Sequence, residues 1–263
     1  MTNAPMRLPF PGHALTAGVE DSQSVLALQH RLNELGCGPV LEDGQFGPET
    51  LDAVELFQTR SVDQFNSPLR VDGRVGPITW SALFNTELPR QSAPDVPLLA
   101  KAITKAAGEI GVLEVPLGSN RGPRVDQYLR SVGLDPAEHS FPWCAAFVYW
   151  CFDQAATALS ARNPVVKTAG VLEHWNEAGA KGIHRLSTVE CTDNPSLVQP
   201  GLIFVLTTGS GRGHTGLVEE VRGVFLTTVE GNTNAGGSRE GIGVFRRDAR
   251  RISDINRGFI DYR

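Results

Sequence analysis

The stretch PGLIFVLTTGSGRGHTGLVEEVRGVFLTTVEGNTN, residues 200–234, decides the fold class. Short runs of Leu, Ile, Val, Phe and Thr alternate with Gly-rich polar turns, the pattern of strands that return on one another by hairpins. Two further runs, GIGVFR at 241–246 and GFIDY at 258–262, continue it. Upstream the period changes. Residues 98–110 are amphipathic at helical spacing, 123–132 read as a second helix and 143–159 as a long third one. Helices first and consecutive strands after them predict an α+β domain with an antiparallel sheet.

The segment before it has a different character. Val25, Leu28, Leu32 and Leu35 fall at helical spacing, with Gly36 where a C-terminal cap belongs. Leu51, Val54, Leu56 and Phe57 form a second helix, opened by Pro48; Pro77 opens a short third one carrying Trp80 and Leu83. The two openings, EDGQFGPET from Glu42 and VDGRVGPIT from Val71, repeat at an offset of 29 (Asp43 to Asp72, Gly44 to Gly73, Pro48 to Pro77). Each reads as a tight Asp-Gly turn, one apolar plug (Phe46 or Val75), then a Gly-Pro start to a helix. A calcium loop is excluded, because the alternating carboxylates and closing Glu are missing. The expected boundaries are a tail over 1–19, a three-helix module over 20–86, a linker over 87–97 and the larger domain over 98–263. The linker lies within NTELPRQSAPDVP (85–97), rich in Pro and polar residues.

Composition narrows the function. The 263 residues are 41% hydrophobic and 20% charged, with a net charge of -5. An acidic balance argues against nucleic acid or an anionic membrane as partner. The one basic run, RRDARR at 246–251, reads as a solvated strand edge. No run approaches the roughly 20 apolar residues of a membrane span. Pro5, Pro9, Pro11 and Gly12 break up the N-terminus, so no signal peptide is expected and synthesis is expected in the cytoplasm. A monomer is the default expectation. Cys37, Cys144, Cys151 and Cys191 fit no zinc spacing and are too few for a disulfide scaffold. No metal or other cofactor is expected.

Cys144 stands at the head of an apolar helix, in FPWCAAFVYW (141–150). A thiol is a good nucleophile only as thiolate, so it needs a base and a group that orients the base. Unpaired N–H groups at a helix N-terminus favour the thiolate and can hold an oxyanion. Of six histidines, His214 is the best base. It follows the small-residue loop GSGRG and opens a strand, and the next strand ends in VEGNTN, presenting Glu230 and Asn232 sixteen and eighteen residues on (214 to 230 and 232). That is one hairpin's length. His139 is nearer in sequence, but no rigid element holds it. Cys151 reads as core, and Cys37 and Cys191 have no suitable histidine. Trp143 reads as a core plug at the helix start, with the lining of a substrate cleft as the alternative. Arg121 and Arg124 are either carboxylate-binding groups or solvated surface.

Two resemblances rest on these residues. LQHRLNELG, DGQFGPETLDAVELFQ and DGRVGPITWSALF are similar to the peptidoglycan-binding domain of cell-wall hydrolases. That implies a three-helix module holding wall polymer. FPWCAAF, PGLIFV, GHTGLVEEV and VEGNTN together resemble a CHAP domain, the cysteine- and histidine-dependent amidohydrolase/peptidase family of papain-like fold. The resemblance implies Cys144 as nucleophile, His214 as general base, Glu230 as orienting carboxylate and Asn232 as an auxiliary group able to replace or assist Glu230. Some members carry an Asp-rich calcium loop before the cysteine; GLDPAEHSFPW (133–143) does not match it, so no calcium is expected. The implied function is hydrolysis of peptidoglycan amide bonds through a thioester. Without a signal peptide, action on the wall implies a phage endolysin or an injected antibacterial effector with an immunity-protein partner. The rival classes are a non-catalytic wall-binding protein, such as a virion component, and a cysteine protease of proteins.

Overall fold

In a computed structural model of the chain, residues 8–88, 90–91, 94–209, 211–234 and 241–263 are described. The start of the expected tail and parts of the expected linker, residues 1–7, 89 and 92–93, lie outside them. The chain divides into two compact units, Met1–Pro89 and Arg90–Arg263.

The first unit holds three helices, α1 (Ser22–Glu34), α2 (Pro48–Arg60) and α3 (Pro77–Phe84). Asp21 caps α1 by accepting from the Ser24 N–H at 3.1 Å, and a proline opens each of the other two. Leu28, Leu32, Val54, Val75, Leu83 and Phe84 make the centre of its core. Leu15 joins that core and exchanges backbone hydrogen bonds with Val75, so the packing begins ahead of residue 20. The repeated turns are held by a repeated residue the sequence pattern did not draw out. Gln29 Nε2 donates to Asp43 Oδ1 and the Gln45 carbonyl, while its Oε1 accepts from the Gly44 N–H at 2.9 Å. Gln58, again 29 positions on, does the same for Asp72, the Arg74 carbonyl and the Gly73 N–H. Gly44 and Gly73 have φ of 73° and 67°, a conformation glycine adopts without strain.

The second unit follows the predicted order. Strand β1 (Arg90–Gln91) comes from the expected linker and pairs with a later strand. Then come α4 (Pro97–Gly108), α5 (Val125–Ser131), α6 (Cys144–Ala158) and α7 (Val171–Ala180), strand β2 (His184–Ser187) and the short α8 (Thr188–Asp193). The remaining strands are β3 (Ile203–Gly209), β4 (Arg212–Arg222), β5 (Phe225–Thr233), β6 (Gly243–Arg251) and β7 (Gly258–Asp261). They form an antiparallel sheet in the order β2-β7-β3-β4-β5-β6, with β1 beside the far end of β4. The domain is therefore α+β, helices first, as its pattern predicts. Helix α6 is the pivot: Phe147, Val148, Cys151 and Phe152 are buried among Leu99, Tyr128, Leu217 and Val229. A second cluster, around Phe204, Val218, Leu226 and Phe259, forms a separate core.

Candidate active site

Cys144 is the first residue of α6, and no side chain caps that helix end. What seats the helix is Trp143. Its indole Nε1 donates to the buried Glu114 Oε1 at 2.8 Å, and its ring stacks on Tyr128 with centroids 5.5 Å apart. Trp143 is therefore core, as expected. Strand β5 comes close to it at Gly231, where a Cβ would lie 2.7 Å from Trp143 Cζ3 and 2.8 Å from Phe147 Cβ. This contact sets the helix start beside Glu230 and Asn232.

His214 lies inside β4, two residues past its start, and Glu230 lies on the neighbouring β5. The ring's Nε2 and Glu230 Oε2 are 2.8 Å apart, with both residues buried. Gly216 makes room for the crossing: a Cβ there would sit 2.9 Å from both Glu230 Cγ and Phe204 Cε1. The other ring nitrogen, Nδ1, has no hydrogen bond of standard geometry. The Cys144 thiol nonetheless acts on the ring as a hydrogen-bonding and charged neighbour. Burial is the largest single influence on His214 and favours the neutral ring; Cys144 and Glu230 together outweigh it and raise the pKa to about 9. Burial likewise disfavours the Glu230 carboxylate, but the hydrogen bond and charge of His214, with Arg250 and Thr228, bring its pKa down to about 2.

Asn232 does not join this chain. It is 1% exposed, has φ of 55°, and neither its Oδ1 nor its Nδ2 has a hydrogen-bond partner. Glu230 and Asn232 are two residues apart, yet only Glu230 meets the ring.

Sequence reasoning missed Arg250. Its Nη2 donates to Glu230 Oε1 at 2.7 Å and its Nε to the same oxygen at 3.2 Å, while the residue is only 7% exposed. The reading of 246–251 as a solvated edge is corrected at this position. Leu226 pairs with Arg250 but Thr228 with Arg247, so β6 carries one residue more than β5 between those pairs. Ala249, at φ 58°, sits in that bulge, and the extra residue turns Arg250 inward while Arg246 and Asp248 stay exposed.

The remaining candidates stand apart. His139 is exposed, with its ring edge-on to Phe141. His174, on a helix the pattern did not predict, is buried and bonded through Nε2 to Tyr262 Oη at 2.9 Å. Cys151 is buried, and Cys191 is core on α8. Arg121 and Arg124 are ion-paired with Asp126 and Glu109. Among the described residues no group of three or more His, Cys, Asp or Glu could hold a metal ion, and no helix is long and apolar enough to cross a membrane.

Comparison with known proteins agrees with this geometry. Residues 136–232 match the family model of the CHAP domain, and residues 21–83 match that of a peptidoglycan binding domain. An uncharacterized protein in the bpoA1 3' region of Kitasatospora aureofaciens is 46% identical over 66 residues, which cover 24% of this chain and 50% of that protein. The chain thus spans about half the length of the curated relative it matches. No solved structure matches the chain. The match over 136–232 takes in Cys144, His214, Glu230 and Asn232, so the chain carries a CHAP domain behind a peptidoglycan-binding domain.

Proposed function

We propose that this protein is a peptidoglycan hydrolase, an amidase or endopeptidase of the wall's peptide portion, with Cys144 as nucleophile. One observation carries the reading: a buried imidazole clamped at Nε2 by a carboxylate, with a helix-opening thiol as its other neighbour. His214 Nδ1 takes the thiol proton, and Cys144 Sγ attacks the amide carbonyl carbon. The resulting oxyanion is held by N–H groups of the uncapped first turn of α6. When the tetrahedral species collapses, the C–N bond breaks and His214 returns its proton to the leaving amine. Water, deprotonated by the same ring, then hydrolyses the thioester and restores the thiol.

Glu230 is the third member in this scheme, since it holds the ring in one tautomer and steadies the imidazolium. Asn232, with donor and acceptor both unused, is left for the substrate. The N-terminal module raises the local concentration of the catalytic domain at the wall. A binding module ahead of the hydrolase is similar to endolysins aimed at thin-walled cells, and that is the setting we favour. A neighbouring holin gene would support it, whereas a neighbouring immunity gene would favour an injected effector.

The test is Cys144→Ala. It should keep the fold and pellet with purified peptidoglycan, yet release no fragments. Fragment release at the wild-type rate would refute the assignment, and mass spectrometry of wild-type products identifies the bond.

A further inference from the structure

We infer that Arg250 is a positioning residue for this reaction, acting through Glu230 to fix both the orientation of His214 and the charge balance of the thiol–imidazole pair. The inference rests on the catalytic reading above.

The two oxygens of Glu230 have separate duties. Oε1 accepts from Arg250 Nη2 and Nε and from the Thr228 hydroxyl at 2.6 Å. Among the described residues, Oε2 meets His214 alone. A carboxylate gripped on one oxygen by three donors cannot rotate, so its second oxygen presents one direction to the ring. Arg250 is itself fixed: its guanidinium lies over the Phe204 ring at 4.9 Å, and Phe204 packs against the His214 ring at 6.0 Å. The bulge at Ala249 aims this side chain inward from an otherwise solvent-facing basic run.

Charge gives the arrangement a second role. The charged groups facing one another here are Cys144 from α6, His214 from β4, Glu230 from β5 and Arg250 from β6. With thiolate and imidazolium formed, they sum to zero. Without Arg250 the cluster carries one net negative charge in a buried site. The coupled thiol–imidazole pair would then hold its protons more tightly. Both limbs of the pH–rate profile, which belong to the coupled pair, would move to higher pH. A charge one residue removed in a screened interior moves them by about one pH unit.

The experiment compares Arg250→Gln, which keeps an N–H donor and loses the charge, with Arg250→Lys, which keeps the charge and loses the fork. Rates of dye release from labelled, purified peptidoglycan are taken across pH for the full chain, with folding checked by circular dichroism. We expect Arg250→Gln to shift the whole bell alkaline by about one unit. Arg250→Lys should leave the bell in place and lower kcat about tenfold at unchanged KM. A folded Arg250→Gln whose bell does not move overturns the inference. If Arg250→Gln does not fold, Arg250→Lys decides it, and wild-type kcat there overturns it. Cys144→Ala separates the two levels. If it is active, the catalytic reading falls and the role of Arg250 with it. If it is dead while the Arg250→Gln bell stays fixed, only the role of Arg250 falls.

Discussion

Gly231→Ala probes how the fold delivers the proposed nucleophile to its proposed base. The added methyl would stand 2.7 Å from Trp143 Cζ3 and 2.8 Å from Phe147 Cβ, where ordinary carbon contacts lie at about 3.5–4.0 Å. Both rings are fully buried, so neither can swing into solvent. The helix start must retreat from β5 by roughly 1 Å, an overpacking that costs about 1–3 kcal/mol. Cys144 follows Trp143 directly and moves with it. A displacement of that size at a reacting group lowers the rate about 100-fold. The assay has three arms: denaturant unfolding, fragment release from purified peptidoglycan, and pelleting with the wall. Stability and rate should fall while pelleting is unchanged, since the binding module is a separate unit. A variant that loses stability yet cleaves at the wild-type rate would show that the seating of α6 does not govern the thiol, and would refute the reasoning.

Glu230→Gln removes the charge that meets His214 and should lower hydrolysis on the order of 10³-fold. Asn232→Ala should lower it about 10²-fold without moving the pH profile; a larger loss at Asn232 than at Glu230 would exchange their roles. His174 is held neutral chiefly by burial, with Lys181 adding to it, at a pKa of about 4 against an ordinary 6.5. The unfolded chain therefore binds this proton first as pH falls. Stability from this group is present above about pH 6.5 and declines by about 3 kcal/mol as pH drops towards 4, measured as unfolding free energy against pH. His174→Phe should flatten that slope. Gln58→Leu strands the Asp72 and Gly73 N–H groups and should cost the N-terminal unit about 2–4 kcal/mol, seen as an earlier melting step and weaker pelleting, with hydrolysis of soluble wall fragments unchanged.

The parts of the molecule readable in sequence are those built from local pattern. The strands after Pro200 and helix α6 declare themselves by period, and His214, Glu230 and Asn232 by their place on one hairpin. What stayed hidden depends on register. Nothing in VEGNTN distinguishes the residue that meets the ring from the one that does not; a left-handed Asn232 and a glycine at 216 decide it. Arg250 is illegible for the same reason, because strict alternation assigns it to the face of Arg246 and Asp248, and one inserted residue reverses that. Helix α7 and strand β2 lie between stronger signals and bury only part of their length, so their patterns are faint. The Gln29 and Gln58 clamps sit at the same 29-residue offset as the turns, but a glutamine on a helix carries no sign of being buried until its partners are placed.

Cys144 is 2% exposed, and so is His214. Oxidation of a thiol to sulfenic acid and beyond requires that peroxide meet the sulfur, and susceptibility follows accessibility as well as ionisation. In the reaction proposed above, a nucleophile sunk this deeply is sheltered from diffusing oxidants until a substrate reaches it.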